Sequence, residues 1–120
     1  MILKFRAWDK NTNDMVDVKK IDLEKDGSIG CIVDYNGINL DVSECVLMQS
    51  TGLKDKNGVE IFEGDIGWDD HQEVHGQVIF ENGAFKYEWE NISEDLFEAT
   101  DDIEIVGNIY ENSELLEGSE

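Results

Sequence analysis

The stretch Val78-Ile79-Phe80-Glu81-Asn82-Gly83-Ala84-Phe85-Lys86-Tyr87-Glu88-Trp89-Glu90 carries the strongest hairpin signal in the chain. Asn82-Gly83 supplies the positive φ angles that a two-residue hairpin turn requires. The residues after the turn alternate between apolar and polar, so Phe85, Tyr87 and Trp89 share one face of a strand. We expect that face to pack in a core.

Three more dipeptides of the same kind divide the chain into short runs rich in β-branched and aromatic residues: Asp26-Gly27, Asn36-Gly37 and Asn57-Gly58. We expect two-residue turns there as well. Further strands are predicted at Leu3–Trp8, Met15–Val18, Cys45–Met48, Val59–Phe62, Asp65–Trp68 and Ile103–Tyr110. Because strands recur about every ten residues and no long segment has a helical period, the sequence predicts a mainly β protein, α+β at most.

The second half has the layout of a small SH3-like barrel. A turn through Glu63-Gly64-Asp65 leads into a strand, and a loop at Asp69–Glu73, the hairpin, a helical turn and a closing strand follow. We interpret Glu63-Gly64-Asp65 as structural, because glycine permits a sharp turn and aspartate accepts hydrogen bonds from nearby amides. Helix is expected only in short turns, one capped by Ser93 with Leu96 and Phe97 facing inward, and one starting at Asn112.

A chain of 120 residues with 40% hydrophobic residues is long enough for one domain with a buried core. The prediction is therefore a single domain over residues 1–120. Two sub-parts are possible within it: an N-terminal antiparallel β region over 1–50 and an acidic SH3-like barrel over 51–120. The seam between them would lie near Gln49–Gly58.

Charge is distributed very unevenly along the chain, whose formal net charge is −20. Residues 1–56 hold eight basic and ten acidic residues, whereas residues 57–120 hold Lys86 alone against nineteen acidic residues. Such a field repels phosphate backbones and anionic lipids, so direct binding to nucleic acid or to a membrane is disfavoured and a basic protein partner is favoured. The alternative is that the charge only maintains solubility.

Other protein classes are disfavoured by what the sequence lacks. There is no apolar run near the length of a membrane span and no apolar core of a secretion signal near the N-terminus, so we expect a cytoplasmic protein. The sequence also has no nucleophile-elbow, Walker or zinc-protease motif, and with 29 acidic residues a pair of carboxylates carries no information. We therefore expect no enzymatic activity and no cofactor.

Two weak candidates for metal or thiol chemistry are best explained structurally. His71 and His75 are four residues apart beside carboxylates, but they lie in a predicted hairpin loop rather than on a helix, so no metal site is predicted. Cys31 and Cys45 match no metal motif, and free thiols are expected. A disulfide would be possible only if their strands were adjacent.

The residues expected to bind a partner combine one aromatic anchor with a charged rim. Trp68 precedes two aspartates and is a candidate anchor, while the acidic residues of the second half would surround it. The predicted partner-binding set is Trp68, Asp69, Asp70, Glu88, Glu90, Glu94, Asp95, Asp101, Asp102 and Glu104.

Three blocks of sequence resemble the YopX family of phages and prophages. They are Leu3-Lys4-Phe5-Arg6-Ala7-Trp8-Asp9, the segment Met48–Ile66 with its core Lys54-Asp55-Lys56-Asn57-Gly58-Val59-Glu60-Ile61-Phe62-Glu63-Gly64-Asp65, and Ile105-Val106-Gly107-Asn108-Ile109-Tyr110-Glu111-Asn112. The chain departs from the family pattern at Ser113, where a proline is expected, and at Gly67-Trp68, where an aliphatic residue is usual. The resemblance implies a phage or prophage origin, a mostly β fold and the possibility of oligomers, and it implies no catalytic residues.

Two functional hypotheses follow and stay open at this point. In the first, the acidic half mimics nucleic acid and occupies the basic channel of a host defence nuclease or transcription factor. In the second, the protein is an assembly or interaction module that forms a homo-oligomer or binds through aromatic contacts, and its charge serves solubility. Binding that collapses with added salt would favour the first hypothesis.

Overall fold

The computed structural model describes residues 4–117. The elements are β1 (Phe5–Asp9), β2 (Asp14–Leu23), β3 (Ile29–Asp34), β4 (Asn39–Asp41), a 3₁₀ turn (Val42–Glu44), β5 (Cys45–Lys54), β6 (Glu60–Phe62), β7 (Asp65–Asp69), β8 (Val74–Glu81), β9 (Ala84–Trp89), β10 (Ile92–Asp95), α1 (Leu96–Ala99), β11 (Ile103–Asn108) and α2 (Glu114–Glu117). The mainly β prediction is confirmed. The first residue of the predicted strand Leu3–Trp8 lies outside the described residues.

The strands form two antiparallel sheets, with the orders β4-β3-β2-β1-β5-β6 and β10-β9-β8-β7-β11. The second sheet is open, with β10 and β11 at its edges, so the SH3-like barrel expected from the sequence is not shown. By its contacts the chain divides after Gln49, within β5, into the units Met1–Gln49 and Ser50–Glu120. No helix in residues 4–117 has the length and hydropathy needed to cross a membrane.

Each unit has its own hydrophobic cluster. In the first unit it consists of Ala7, Ile32, Leu40 and Cys45, with Val16, Val18, Ile21 and Leu47 against them. In the second unit it consists of Ile61, Val78, Tyr87, Trp89, Leu96, Ala99 and Ile103. Phe85 is half-buried against this second cluster, so the expectation that the alternating strand packs its aromatic face in a core is confirmed.

The Asn82-Gly83 turn has two residues, as predicted, because Glu81 pairs directly with Ala84 and both turn residues have positive φ. The other three turns are longer by one residue. In each of them the glycine alone has a positive φ. At Asn36-Gly37, for example, the amide of Asp34 bonds to the carbonyl of Ile38, and the amide of Gly37 bonds back to the carbonyl of Asp34 at 3.1 Å. The two-residue prediction is wrong for these turns.

The sequence also misplaced the first helix. Ser93 does not cap a helical turn, because it lies in β10 and pairs with Glu88. Asp95 precedes the single turn of α1, which buries Leu96 and Ala99. Phe97, expected to face inward, is 63% exposed. Successive residues of an α-helix point about 100° apart, so with Leu96 in the core Phe97 is turned away from it and into solvent.

Both predicted free thiols are confirmed. Cys31 lies half-buried in β3, and Cys45 is buried in β5. In the sheet β3 and β5 are separated by β2 and β1, so the adjacent strands that a disulfide would need are not present. Burial raises the pKa of the Cys45 thiol, which keeps it protonated and unreactive.

Candidate functional site

One end of the second sheet gathers acidic residues from three separate turns. Because neighbouring strands are antiparallel, the turn between β7 and β8, the turn between β9 and β10, and the segment from α1 to β11 all lie at the same end. We call this the acidic end and define it by five exposed carboxylates: Asp70, Glu73, Glu90, Asp101 and Asp102. Four of them belong to the set predicted from sequence, and Glu73 was missed.

The acidic end contains little compensating positive charge. Lys56 forms an ion pair with Asp70 at 3.3 Å, and this contact lowers the pKa of the Asp70 carboxyl group. In the described part of the chain, Glu73, Glu90, Asp101 and Asp102 make no ion pair. The result is a solvent-facing group of negative charges with one lysine at its margin.

Asp69 was expected in the charged rim, but the structure gives it a different role. It is buried, with 7% exposure, and its carboxylate accepts hydrogen bonds from the backbone amides of His71 at 2.9 Å and Gln72 at 3.2 Å. These bonds hold the turn that displays Asp70 and Glu73. Asp69 therefore stabilises the turn at the acidic end and is not part of its exposed surface.

A second group of predicted residues lies on the outward face of the same sheet. Trp68 is half-buried and contacts the ring of His75, with centroids 4.7 Å apart and planes at 52°. Glu104 is the cross-strand neighbour of Trp68 on its other side. Glu88 lies on this face too, opposite Gln77. Trp68 thus has a cross-strand neighbour on each side, which reduces the part of its ring that can contact a partner protein.

The last two predicted residues, Glu94 and Asp95, belong to β10. Asp95 forms an ion pair with Lys86 at 2.8 Å. Burial raises the pKa of the Glu94 carboxyl group, and nearby carboxylates, among them Glu98 and Asp102, raise it further. Repulsion among these groups is a cost of concentrating acidic residues here.

The structure places the two histidines in different surroundings. His71 is exposed in the turn, while His75 lies in β8 against Trp68. Among residues 4–117 no group of three or more histidine, cysteine, aspartate or glutamate side chains has the arrangement of a metal site. The prediction that His71 occupies a solvated hairpin loop is confirmed.

The residues that carry the family resemblance hold turns in place. The Asp65 carboxylate accepts a hydrogen bond from the amide of Phe62 at 2.7 Å, and Gly64 has a φ of +89°, so the structural interpretation of Glu63-Gly64-Asp65 is confirmed. The Asn108 side chain accepts from the amides of Tyr110 at 3.0 Å and Glu111 at 2.9 Å. The side-chain oxygens of Asp65 and Asn108 therefore already accept hydrogen bonds from backbone amides.

Gly67, one of the two departures from the family pattern, also has a structural reason. It pairs directly with Gly76 in the neighbouring strand, and the ring of Tyr87 lies over both residues. A Cβ atom at Gly67 would lie 2.9 Å from the Tyr87 hydroxyl oxygen. An aliphatic residue at this position would therefore displace a buried tyrosine.

The structure resembles two solved proteins over nearly its whole length. One is protein EF1440 from Enterococcus faecalis, with a TM-score of 0.79 and 32% identity, covering 97% of this chain and 99% of that one. The other is protein yopX from Bacillus subtilis, with a TM-score of 0.67 and 21% identity, covering 94% of this chain and 97% of that one; at this identity it shows the fold alone.

Among curated proteins the chain has no match. The model of the YopX protein family matches residues 4–117, which include all three blocks except Leu3. The match extends from β1 through α2 and therefore covers both units. The chain belongs to the YopX family.

Proposed function

We propose that this chain is a phage or prophage accessory protein that acts through protein–protein contacts in the bacterial cytoplasm and catalyses no reaction. Its acidic end would bind the basic surface of a host protein. The partner class that fits is a nucleic-acid-binding enzyme, such as a defence nuclease, whose channel the acidic end would occupy in place of nucleic acid.

The observation that carries this proposal is the meeting of three acidic turns at one sheet end. Duplex DNA presents about one negative charge per 1.7 Å of its axis, and a protein mimic must likewise hold unpaired charges close together. Asp69 fixes the turn that carries Asp70 and Glu73, so part of the charge is preorganised. Preorganisation lowers the entropy cost of binding.

A role without catalysis is supported by how the motif residues are used. Asp55, Asp65 and Asn108, all within the family blocks, direct their side-chain oxygens at backbone amides. A general acid or base would need a carboxyl group free to reach substrate. These three side chains are already engaged in maintaining the fold.

A second candidate function is an interaction or assembly module that binds through apolar contacts, with the charge serving solubility. Two exposed aromatic side chains in the second unit favour it: Phe80 is 51% exposed and Phe97 is 63% exposed. A homo-oligomer formed through them would bury this apolar surface.

The test uses the full chain as bait in a bacterial lysate, with elution by stepped salt, followed by affinity measurements on each captured protein. A nucleic-acid mimic should lose most of its affinity between about 50 and 200 mM salt, as proteins with many phosphate contacts do. The captured enzyme should be inhibited by this chain in its own assay. Affinity that is insensitive to salt would favour the interaction module.

Two matched triple variants distinguish the effect of the acidic end on binding from the effect of the net charge of the chain. Glu90→Gln, Asp101→Asn and Asp102→Asn together remove three exposed charges from the acidic end, and Asp14→Asn, Asp17→Asn and Glu24→Gln remove three from exposed positions of the first unit. The first triple variant should weaken binding and flatten its salt dependence, while the second should have little effect. Equal effects would contradict a role for the acidic end.

A further inference from the structure

The second unit has an apolar groove of about 270 Å³ between β5, β9 and α1. Its lining residues are Leu53, Ala84, Phe85, Asp95, Leu96 and Phe97. Leu96 forms the buried floor at 1% exposure, and Phe97 stands beside it, largely exposed. Nothing in residues 4–117 covers Phe97, although an exposed phenylalanine is costly to keep in water.

The apolar surface continues from the groove onto the neighbouring strand. The ring of Phe80 contacts that of Phe85 edge to face, with centroids 4.9 Å apart. Phe80 is itself half-exposed. Exposed apolar side chains that lie together, unlike scattered ones, mark surfaces that bind another molecule.

Charged residues are the chain neighbours of the residues that form this apolar surface. Asp95 lines the groove and forms the ion pair with Lys86. This ion pair, together with the nearby charges of Glu81 and Glu98, raises the pKa of the Lys86 ammonium group. This charged rim, defined by Asp95, Glu81, Glu98 and Lys86, lies beside the groove and has a net negative charge. Alternation along β9 places Lys86 on the sheet face opposite Phe85.

We propose that the groove binds a bulky apolar side chain of a partner protein whose flanking residues are basic. The inference rests on the proposed function and adds a second contact, at the sheet end opposite the acidic end, where β9 begins at Ala84 and β10 ends at Asp95. Phe97 and Leu96 would hold the apolar side chain while Asp95, Glu98 and Glu81 attract its basic neighbours. A second copy of this chain is a poorer occupant, because each copy has a formal charge of −20 and would bring the same negative rim against the other.

The test is a titration of the full, ¹⁵N-labelled chain, followed by backbone amide shifts, with three synthetic peptides. The first has a central tryptophan between two runs of lysines, the second has alanine in place of the tryptophan, and the third has glutamates in place of the lysines. The first should bind at least about tenfold more tightly than the second, a difference of about 1.4 kcal/mol, which a well-buried anchor side chain supplies. Its largest shifts should occur at Leu53, Phe85 and Phe97, and the third should not bind.

Two variants locate the binding site. Phe97→Ala should weaken the tryptophan peptide by about tenfold, and its exposed position means that the fold is retained. Ile92→Ala is the matched control, because Ile92 is 50% exposed in the same unit but does not line the groove. It should leave the affinity unchanged.

Each contrary result has a separate meaning. Equal binding of the tryptophan and alanine peptides would overturn the groove and leave the acidic docking function standing. Failure of both lysine peptides to bind would contradict the docking function and the groove together. A dimer in light scattering that Phe97→Ala dissociates would assign the groove to a second copy and overturn the proposal.

Discussion

The carboxylate of Asp55 accepts a hydrogen bond from the backbone amide of Ile105 at 2.8 Å, across fifty residues of sequence. Its other oxygen accepts from the amides of Asn57 at 2.8 Å and Val59 at 2.9 Å, within its own turn. Lys56 adds a bond from its amide to the carbonyl of Ile103 at 3.1 Å. The turn therefore covers the outer edge of β11, which would otherwise present unpaired backbone groups, and it joins two of the family's sequence blocks.

Replacing Asp55 by asparagine tests the long-range bond alone. The remaining carbonyl oxygen can still serve Asn57 and Val59, but the new amide group cannot accept from Ile105. We expect the free energy of unfolding to fall by about 2 kcal/mol, the range for a bond to a charged group. Urea unfolding of the full chain measures the loss.

Asp34 provides a matched control for this substitution. It is buried in the equivalent turn Asp34-Tyr35-Asn36-Gly37-Ile38 and accepts from Asn36 and Ile38, both at 2.9 Å, without a long-range bond. Asp34→Asn should cost clearly less than Asp55→Asn. Equal losses would mean that the bond to Ile105 adds nothing beyond the turn.

The same carboxylate should make stability depend on pH in acid. Burial opposes the charge of Asp55, but the hydrogen bonds from Ile105, Val59 and Asn57 outweigh it and lower its pKa. An acid whose pKa is lowered by folding adds stability above its unfolded pKa, about 3.9 for aspartate, and this stability is lost as the pH falls through the folded pKa. Unfolding free energy measured from neutral pH downward should therefore decline below about pH 5, and less steeply in Asp55→Asn. Parallel pH profiles would contradict this role.

The Gly67–Gly76 pair beneath Tyr87 leaves no room for a side chain. A Cβ atom at Gly76 would lie 2.6 Å from the Tyr87 hydroxyl oxygen, and Tyr87, at 1% exposure, has nowhere to move. Gly76→Ala should destabilise the protein by about 3 kcal/mol, the upper part of the range for overpacking. Gly30→Ala is the control: its Cβ would meet only the flexible end of Glu24, so the loss in thermal stability should be much smaller.

The hydroxyl group of Tyr87 is buried, and within residues 4–117 no group forms a hydrogen bond of good geometry with it, although the backbone of Gly76 lies close by. Removing an unsatisfied buried polar group relieves its desolvation penalty. Tyr87→Phe should therefore leave the unfolding free energy unchanged or raise it by up to about 1 kcal/mol, and Tyr35→Phe, at a surface position with 69% exposure, should have no effect. A clear loss of stability in Tyr87→Phe would mean that the hydroxyl makes a hydrogen bond in solution.

Local patterns predicted the strands well and the turns less well. Alternation placed Tyr87 and Trp89 in the core, because the two faces of a strand differ regardless of what packs on them. The turns at Asn36-Gly37 and Asn57-Gly58 have three residues, and not the two predicted, because an aspartate two positions before the asparagine accepts hydrogen bonds from two amides of the turn. That pattern, Asp-x-Asn-Gly, is readable in the sequence once its chemistry is considered.

The acidic end could not be predicted from the sequence, because it is formed by strand pairing that no local sequence pattern encodes. Asp70, Glu90 and Asp102 are far apart in sequence, and they share one end of the sheet only because β7 to β11 pair as they do. Closure into a barrel likewise requires two edge strands to meet, which alternation within a strand does not specify. The exposure of Phe97 could not be predicted either, because the sequence does not specify which side of α1 faces the core.

The turn at Glu90-Asn91 should be more stable with glycine in the place of Glu90. Trp89 pairs directly with Ile92, and both turn residues have positive φ, 48° for Glu90 and 70° for Asn91. The left-handed conformation costs an ordinary residue roughly 1 kcal/mol, whereas glycine adopts it freely at the price of a more flexible unfolded chain. Glu90→Gly should therefore raise the unfolding free energy by about 0.5 kcal/mol after this offset.

Glu90→Gln separates backbone strain from charge in this prediction. It removes the same carboxylate but keeps a side chain at positive φ, so its stability should stay near that of the natural protein. If the acidic end binds a basic partner, both variants should weaken that binding equally, because both remove the same charge. Glu90 would then be a residue whose side chain is retained for binding at a cost in stability. A Glu90→Gly variant that is less stable than Glu90→Gln would show instead that the Glu90 side chain contributes to the fold.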